Sequence, residues 1–157
     1  FKLQVGFPSE EQEKEMVRLH GHQTTMPDLE RLEIEPVVRR EEIEEMQRAV
    51  ARLHLSEEMV NYIVALVRAT RTHMHLLHGA SPRSANMLAT SARALAALRG
   101  RDYVIPDDVK ALFLHTLRHR VILTPTAHIE GADPDTVLRQ VLKSVAHFMR
   151  CHSHRGQ

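Results

Sequence analysis

Arg83 is the residue whose position in the sequence points most directly to chemistry. It follows Gly79-Ala80-Ser81-Pro82, where a turn glycine, a serine N-cap and a proline at the first helical position predict the start of a helix. A cation in the first turn opposes the helix dipole, whereas an anion held there is stabilised by it. The arginine therefore indicates an anion-binding site, and the alternative is an ordinary exposed arginine on an alanine-rich helix.

The twelve histidines raise the question of a metal site. The closest pairs are His20 with His22, His73 with His75, and His152 with His154. On a helix, residues two apart point in nearly opposite directions, so such a pair does not share an ion. His75 and His78 are three apart, but no nearby carboxylate or cysteine completes a ligand set. We predict no metal site, and no catalytic role for the single cysteine, Cys151, because the sequence supplies no defined base for it.

Composition and charge exclude several classes of protein. The chain has 157 residues, 43% hydrophobic and 4% aromatic, which suits one domain or two small ones with a real core. A formal net charge of +1 argues against nucleic-acid binding, and Arg118-His119-Arg120, although able to contact phosphate, is too short to reverse that argument. No apolar run approaches the ~20 residues of a membrane span, so a cytoplasmic protein is expected. The sequence contains no GxxxxGK[ST], GxGxxG or HExxH motif.

Helical patterns occupy most of the chain. Apolar spacing and capping residues predict six helices, over residues 9–20, about 41–53, 56 to about 79, 82–99, 106–117 and 133–149. Phe1, Leu3, Val5 and Phe7 alternate with other residues and predict one strand, whose sheet partners we place upstream of this chain. Residues 21–38 are polar, contain two prolines and predict a long loop. The expected fold is an all-α bundle of about six helices with one orphan N-terminal strand.

Several separate motifs carry a family resemblance. They are residues 1–9 (FKLQVGFPS), 60–72 (containing YIV and VRATR), 79–83 (GASPR), 94–104 (ALAALRGRDYV), 106–112 (PDDVKAL) and 117–120 (LRHR). In this order and spacing they resemble the C-terminal lid part of MoxR-type AAA+ ATPases, from Phe1 to about Val145. The resemblance implies that residues 1–8 are the last strand of the AAA+ core and the crossover, that residues 9–149 are the helical lid, and that residues 150–157 are a frayed tail.

The resemblance also implies partners and an activity for a longer protein. Such proteins bind ATP and Mg²⁺ between an αβ core and the lid, usually in a hexameric ring, and use hydrolysis for chaperone-like remodelling or assembly of other proteins. The implied partners are an AAA+ core upstream in the same chain, neighbouring subunits of the ring and an unidentified client protein. Neither a membrane nor a nucleic acid is expected as a partner.

Three residues take implied roles. Arg83 falls on the sensor-2 position, from which an arginine reaches the γ-phosphate, and Met16 and Val17 fall where an apolar side chain packs on adenine. The family's Walker A, Walker B, sensor-1 and arginine-finger residues are absent from this sequence, so the chain alone is expected neither to bind ATP tightly nor to hydrolyse it. The alternatives are a DNA-binding module, with residues 100–117 imitating a helix-turn-helix or a histone-type fold, and a free-standing protein-interaction domain.

Overall fold

The computed structural model describes residues 1–21 and 35–153, with side chains as far as residue 145. The elements in this part of the chain are α1 (Glu10–His20), α2 (Arg40–Arg52), α3 (Glu57–Arg71), β1 (Leu76–His78), α4 (Pro82–Leu98), α5 (Pro106–Leu117), β2 (Ile122–Leu123), α6 (Pro125–Ile129) and α7 (Pro134–Ser153). The chain divides into two compact units, residues 3–44 and residues 1–2 with 45–157, which are described separately. The predicted all-α class is confirmed.

The unit of residues 3–44 contains α1, whose start was predicted from its cap. The Gln12 backbone N–H donates to Ser9 Oγ at 3.4 Å, and the Ser9 N–H donates to Gln12 Oε1 at 2.9 Å. This reciprocal pair satisfies two of the backbone donors that a helix start leaves free. The predicted capping box is confirmed, and Gly21 follows the last helical residue as expected.

Residues 1–9 contain no strand, so the strand predicted there is not formed in the described structure. The side chains of Phe1, Leu3, Val5 and Phe7 are exposed. A strand needs the N–H and C=O groups of a neighbour, and the described residues offer this segment no pairing strand. The division of the chain at residues 8 and 149 stays a prediction. Most of the predicted loop, residues 22–34, lies outside the described residues.

The larger unit is built around α3, which packs against α4, α5 and α7. The largest fully buried side chains come from all four helices, and they include Leu66, Leu88, Phe113, Leu117 and Leu138. Small residues on α4, Ala92 and Ala96, are also fully buried, which allows the neighbouring helices to approach closely. Burial of these apolar surfaces is the main favourable contribution to the folding of this unit.

A two-stranded antiparallel sheet interrupts the helices and was not predicted. Leu76 of β1 lies opposite Leu123 of β2, and both side chains are buried. The helix expected to continue to about Gly79 therefore ends earlier, at Arg71. The physical reason is that the backbone of residues 76–78 pairs with β2 instead of continuing the helical hydrogen bonds.

The C-terminal helices also differ in detail from expectation. The five-residue α6 was not predicted. Asp133 caps α7 as predicted, because its Oδ1 accepts the Thr136 N–H at 3.0 Å. The backbone of α7 continues to Ser153, so residues 150–153 of the expected tail are helical, and residues 154–157 lie outside the description. No helix among the described residues is long and apolar enough to cross a bilayer.

Candidate functional site

Arg83 lies in the first turn of α4 with its side chain exposed. Ser81 is the N-cap residue with an extended backbone, as predicted, but its hydroxyl caps no backbone N–H and lies 3.4 Å from Ser84 Oγ. The first turn contains no acidic residue. Within the described part of the chain, no hydrogen bond or ion pair engages the Arg83 guanidinium.

This arrangement is suited to an anion. The backbone N–H groups at a helix start carry partial positive charge, and here no serine hydroxyl or carboxylate neutralises them. A free guanidinium beside them adds a full charge and a planar fork that matches two oxygens of a phosphate or carboxylate. The start of α4 therefore offers a phosphate or carboxylate two kinds of donor at once.

The segment leading into α4 is attached to the end of α3. Thr70 Oγ1 accepts the Ala80 N–H at 2.8 Å, and Arg71 Nε donates to the Ala80 carbonyl at 2.9 Å. A Cβ at Gly79 would lie 2.6 Å from Arg71 Cα, so the two backbones are in direct contact. Sequence reasoning missed this attachment because it continued α3 to Gly79. Thr72, His73 and His75, three polar residues that do not continue the apolar spacing of α3, are the signal that would have ended the helix earlier.

The far end of α4 is fixed to α5 by a buried carboxylate. Asp108 is fully buried and accepts hydrogen bonds from Arg99, Arg101 and the Ile105 backbone N–H. Burial raises the pKa of Asp108, but the bonds from Arg101 and Ile105, with the charges of Arg101 and Arg99, outweigh it and hold that pKa below its usual value. The RGRD segment noted in the sequence thus provides structural ion pairs at the opposite end of α4 from Arg83.

In the Arg118-His119-Arg120 segment, Arg118 forms an ion pair within the fold. Arg118 is nearly buried, and its Nη2 donates to Asp135 Oδ2 of α7 at 3.0 Å. Burial lowers the pKa of His119, and the positive charges of Arg120, Lys2 and Arg118 lower it further. Because Arg118 joins the end of α5 to α7, it is less available to phosphate than the sequence indicated.

Met16 and Val17 lie on α1, in the unit of residues 3–44. Their side chains are 55% and 69% exposed. Two adjacent apolar side chains at such exposure leave surface on which a flat ring could pack. Their assignment to adenine stays a prediction, and so does the assignment of Arg83 to the γ-phosphate.

The histidine pair of residues 73 and 75 does not lie on a helix, contrary to the premise used in the sequence analysis. Both residues follow α3, and their rings meet edge to face with centroids 5.6 Å apart. Among the described side chains, no group of three His, Cys, Asp or Glu residues is placed to hold a metal ion. His22, His154 and the side chains of Cys151 and His152 lie outside the description.

The segment that contains Arg83 is similar to a known protein family, and the chain is similar to individual proteins. Residues 68–141 match the family described as the AAA lid domain. The chain is 37% identical over 145 residues to YeaC of Bacillus subtilis, covering 92% of this chain and 44% of that protein. It is 35% identical over 155 residues to the protein named Chaperone MoxR1 of Mycobacterium tuberculosis, covering 93% of this chain and 39% of MoxR1.

A solved structure shares the fold. The crystal structure of a protein named a "putative ATPase" from Cytophaga hutchinsonii matches with a TM-score of 0.73 and 28% identity, over 88% of this chain and 43% of that one. The chain thus spans less than half the length of each of these three relatives. The matched AAA lid segment contains Thr70, Arg71, Arg83 and Asp108.

Proposed function

We propose, from the premise that this chain is the lid part of a MoxR-family AAA+ ATPase, that α4 presents Arg83 to the γ-phosphate of ATP in the complete protein. The observation that carries the proposal is the free, exposed guanidinium at a helix start that has neither an acidic residue nor a side-chain cap. In this position the arginine contacts phosphate oxygens, and its contact becomes stronger as negative charge develops during phosphoryl transfer.

The residues of this chain fit only part of an ATP site. We assign Arg83, in the larger unit, to the terminal phosphate. Met16 and Val17, in the unit of residues 3–44, are assigned separately to the adenine base. The sequence contains no P-loop, so the remaining phosphate and Mg²⁺ ligands must come from an AAA+ core. Bound ATP with Mg²⁺ supplies the phosphoryl group and the metal charge, and the lid residues hold and orient the nucleotide.

The wider role extends the same proposal. We assign the complete protein to a ring, with the AAA+ core of the same chain and neighbouring subunits as partners. The M. tuberculosis relative is named a chaperone, and we extend a chaperone-like remodelling or assembly activity to this protein, with an unidentified client. A cytoplasmic location belongs to the proposal because the reaction consumes ATP.

Substitution of Arg83 in the ATPase that carries this lid tests the assignment. Arg83→Ala is expected to lower kcat about 100-fold, the usual cost of removing one donor to developing charge. Arg83→Lys is expected to recover only part of the rate, because an ammonium lacks the planar fork. Steady-state phosphate release gives kcat and KM for each variant.

A matched arginine on the same unit provides the control. Arg68 is exposed on α3, and Arg68→Ala removes the same side chain without touching the start of α4. The control variant is expected to keep normal turnover. Equal turnover in the Arg83→Ala variant and the unmodified ATPase would reject the sensor-2 assignment.

A further inference from the structure

We propose that Thr70 and Arg71, at the end of α3, are positioning residues that orient Arg83. This inference rests on the proposed function of Arg83 as a phosphate contact. Among the described residues, neither side chain is hydrogen-bonded to Arg83. They act on Ala80, three residues earlier in the chain, and thereby on the direction in which α4 begins.

The two side chains take up both backbone groups of Ala80. Thr70 Oγ1 accepts the Ala80 N–H at 2.8 Å and donates its own proton to the Val67 carbonyl at 2.6 Å. Arg71 Nε donates to the Ala80 carbonyl at 2.9 Å. Thr70 and Ala80 are essentially inaccessible to solvent, so water cannot easily replace the hydroxyl. The peptide groups on either side of Ala80 are therefore fixed by α3.

Gly79 allows the backbone that leads into α4 to lie in direct contact with the backbone at the end of α3. An added Cβ at Gly79 would lie 2.6 Å from the Arg71 Cα and N atoms, a distance that requires the backbones to separate. The hydrogen bonds to Ala80 thus act across a direct backbone contact. A segment held by two hydrogen bonds and a backbone contact has little freedom to rotate or slide.

The attachment determines where the Arg83 side chain leaves α4. Only Ser81 and Pro82 separate Ala80 from Arg83, and the proline ring fixes its own φ angle. Ser84, directly after Arg83, is fully buried and accordingly fixes the other side of the turn. Arg83 is the exposed residue between two anchored ones. A shift of about 1 Å in a catalytic contact can cost about 100-fold in rate, so loss of the anchor is expected to reduce turnover.

The chemistry of the anchor predicts which substitutions retain it. Thr70 must accept one hydrogen bond and donate another, which a serine can do and a valine of nearly equal volume cannot. Arg71 reaches Ala80 through Nε, and methionine carries a methyl group, with no hydrogen to donate, at that place along its side chain. Thr70→Val and Arg71→Met therefore remove the anchor, and Thr70→Ser retains it.

A double-mutant cycle in the ATPase that carries this lid tests the inference. Thr70→Val is expected to lower kcat about tenfold with a smaller change in KM, and Thr70→Ser to restore it to within about twofold. In the Arg83→Ala background, Thr70→Val is expected to add no further loss, because the side chain that it positions is gone. Arg71→Met is expected to follow the same non-additive pattern.

Thr116→Val is the matched control, since Thr116 is also a buried threonine but lies on α5. It is expected to leave kcat unchanged. Circular dichroism melting identifies a variant that has simply unfolded. If Thr70→Val does not fold, the exposed Arg71 supplies the test through Arg71→Met.

The outcomes separate the two proposals. If Arg83→Ala leaves turnover unchanged, the proposed function of Arg83 fails. The positioning inference is overturned, and the proposed function stands, if Arg83→Ala lowers turnover but Thr70→Val and Arg71→Met each lower turnover by the same factor whether Arg83 is present or replaced. Non-additive losses with rescue by Thr70→Ser support the inference.

Discussion

Arg101 and Asp108 form a bidentate ion pair across the connection between α4 and α5. Arg101 Nη2 lies 2.6 Å from Asp108 Oδ1, and Nη1 lies 2.8 Å from Oδ2. The Asp108 side chain is fully buried, and that of Arg101 is 20% exposed. Bidentate geometry and exclusion of water make this pair different from the exposed ion pairs on the helix surfaces.

Replacement of Arg101 by alanine is expected to destabilise the larger unit. Asp108 would keep its hydrogen bonds from Arg99 and Ile105 but lose the two from Arg101. Its buried negative charge would then be only partly compensated. The expected loss in the free energy of unfolding is about 3 kcal/mol. Urea denaturation followed by circular dichroism measures it. Lys110→Ala, which affects the exposed ion pair with Asp107 on α5, is the control and is expected to cost less than about 1 kcal/mol.

Gly79→Ala is expected to destabilise the chain because of a steric conflict with α3. The new methyl group would lie 2.6 Å from backbone atoms of Thr70 and Arg71, which cannot move aside as a flexible side chain can. The expected cost is about 3 kcal/mol. Gly6→Ala is the control, since nothing lies within 4 Å of a Cβ there. Equal melting temperatures for the two variants would contradict the close contact at Gly79.

His73 is expected to make stability depend on pH in the mildly acidic range. Burial lowers its pKa, the charge of His75 lowers it further, and a hydrogen bond with Gln140 offsets only part of this. The unfolded chain therefore binds the proton more readily than the folded one. The stabilisation is complete above the unfolded value of 6.5 and is lost as pH falls from there through the folded pKa.

Denaturation at several pH values between neutral and about 5 measures this effect. In the His73→Gln variant, the free energy of unfolding is expected to fall less as the pH is lowered, because the substitution removes a group that takes up a proton on unfolding. His78→Gln removes an exposed histidine from the nearby strand and is expected to leave the decline unchanged. An unchanged decline in the His73→Gln variant would exclude His73 as its source.

Local signals in the sequence were sufficient for most helix boundaries. Ser9 with Gln12 marked the start of α1, Pro82 and Pro106 marked the starts of α4 and α5, and the left-handed Gly100 follows the end of α4. Each of these signals acts through neighbours within four residues, so single-sequence reasoning can recognise it. The same signals placed Arg83 correctly in the first turn of α4.

Features that depend on contacts between distant residues could not be predicted in the same way. The two short strands exist because Leu76 pairs with Leu123, and strands of two or three residues have no periodicity of their own. Conversely, the alternation from Phe1 to Phe7 was clear, but among the described residues no strand pairs with this segment. The Thr70 and Arg71 anchor was hidden for the same reason, since it joins residues nine or ten apart across a break in a helix.

The chain by itself is expected to bind ATP only weakly. The site described here offers one guanidinium and a helix start, and a single hydrogen bond to a charged group contributes about 1.5–3 kcal/mol. A dissociation constant of about 1 mM already requires about 4 kcal/mol. Titration with a fluorescent ATP analogue is therefore expected to show no saturation in the micromolar range. Binding in the micromolar range would contradict the prediction of weak affinity. If the Arg83→Ala variant then lost that binding, the start of α4 would be a stronger phosphate site than its few donors imply.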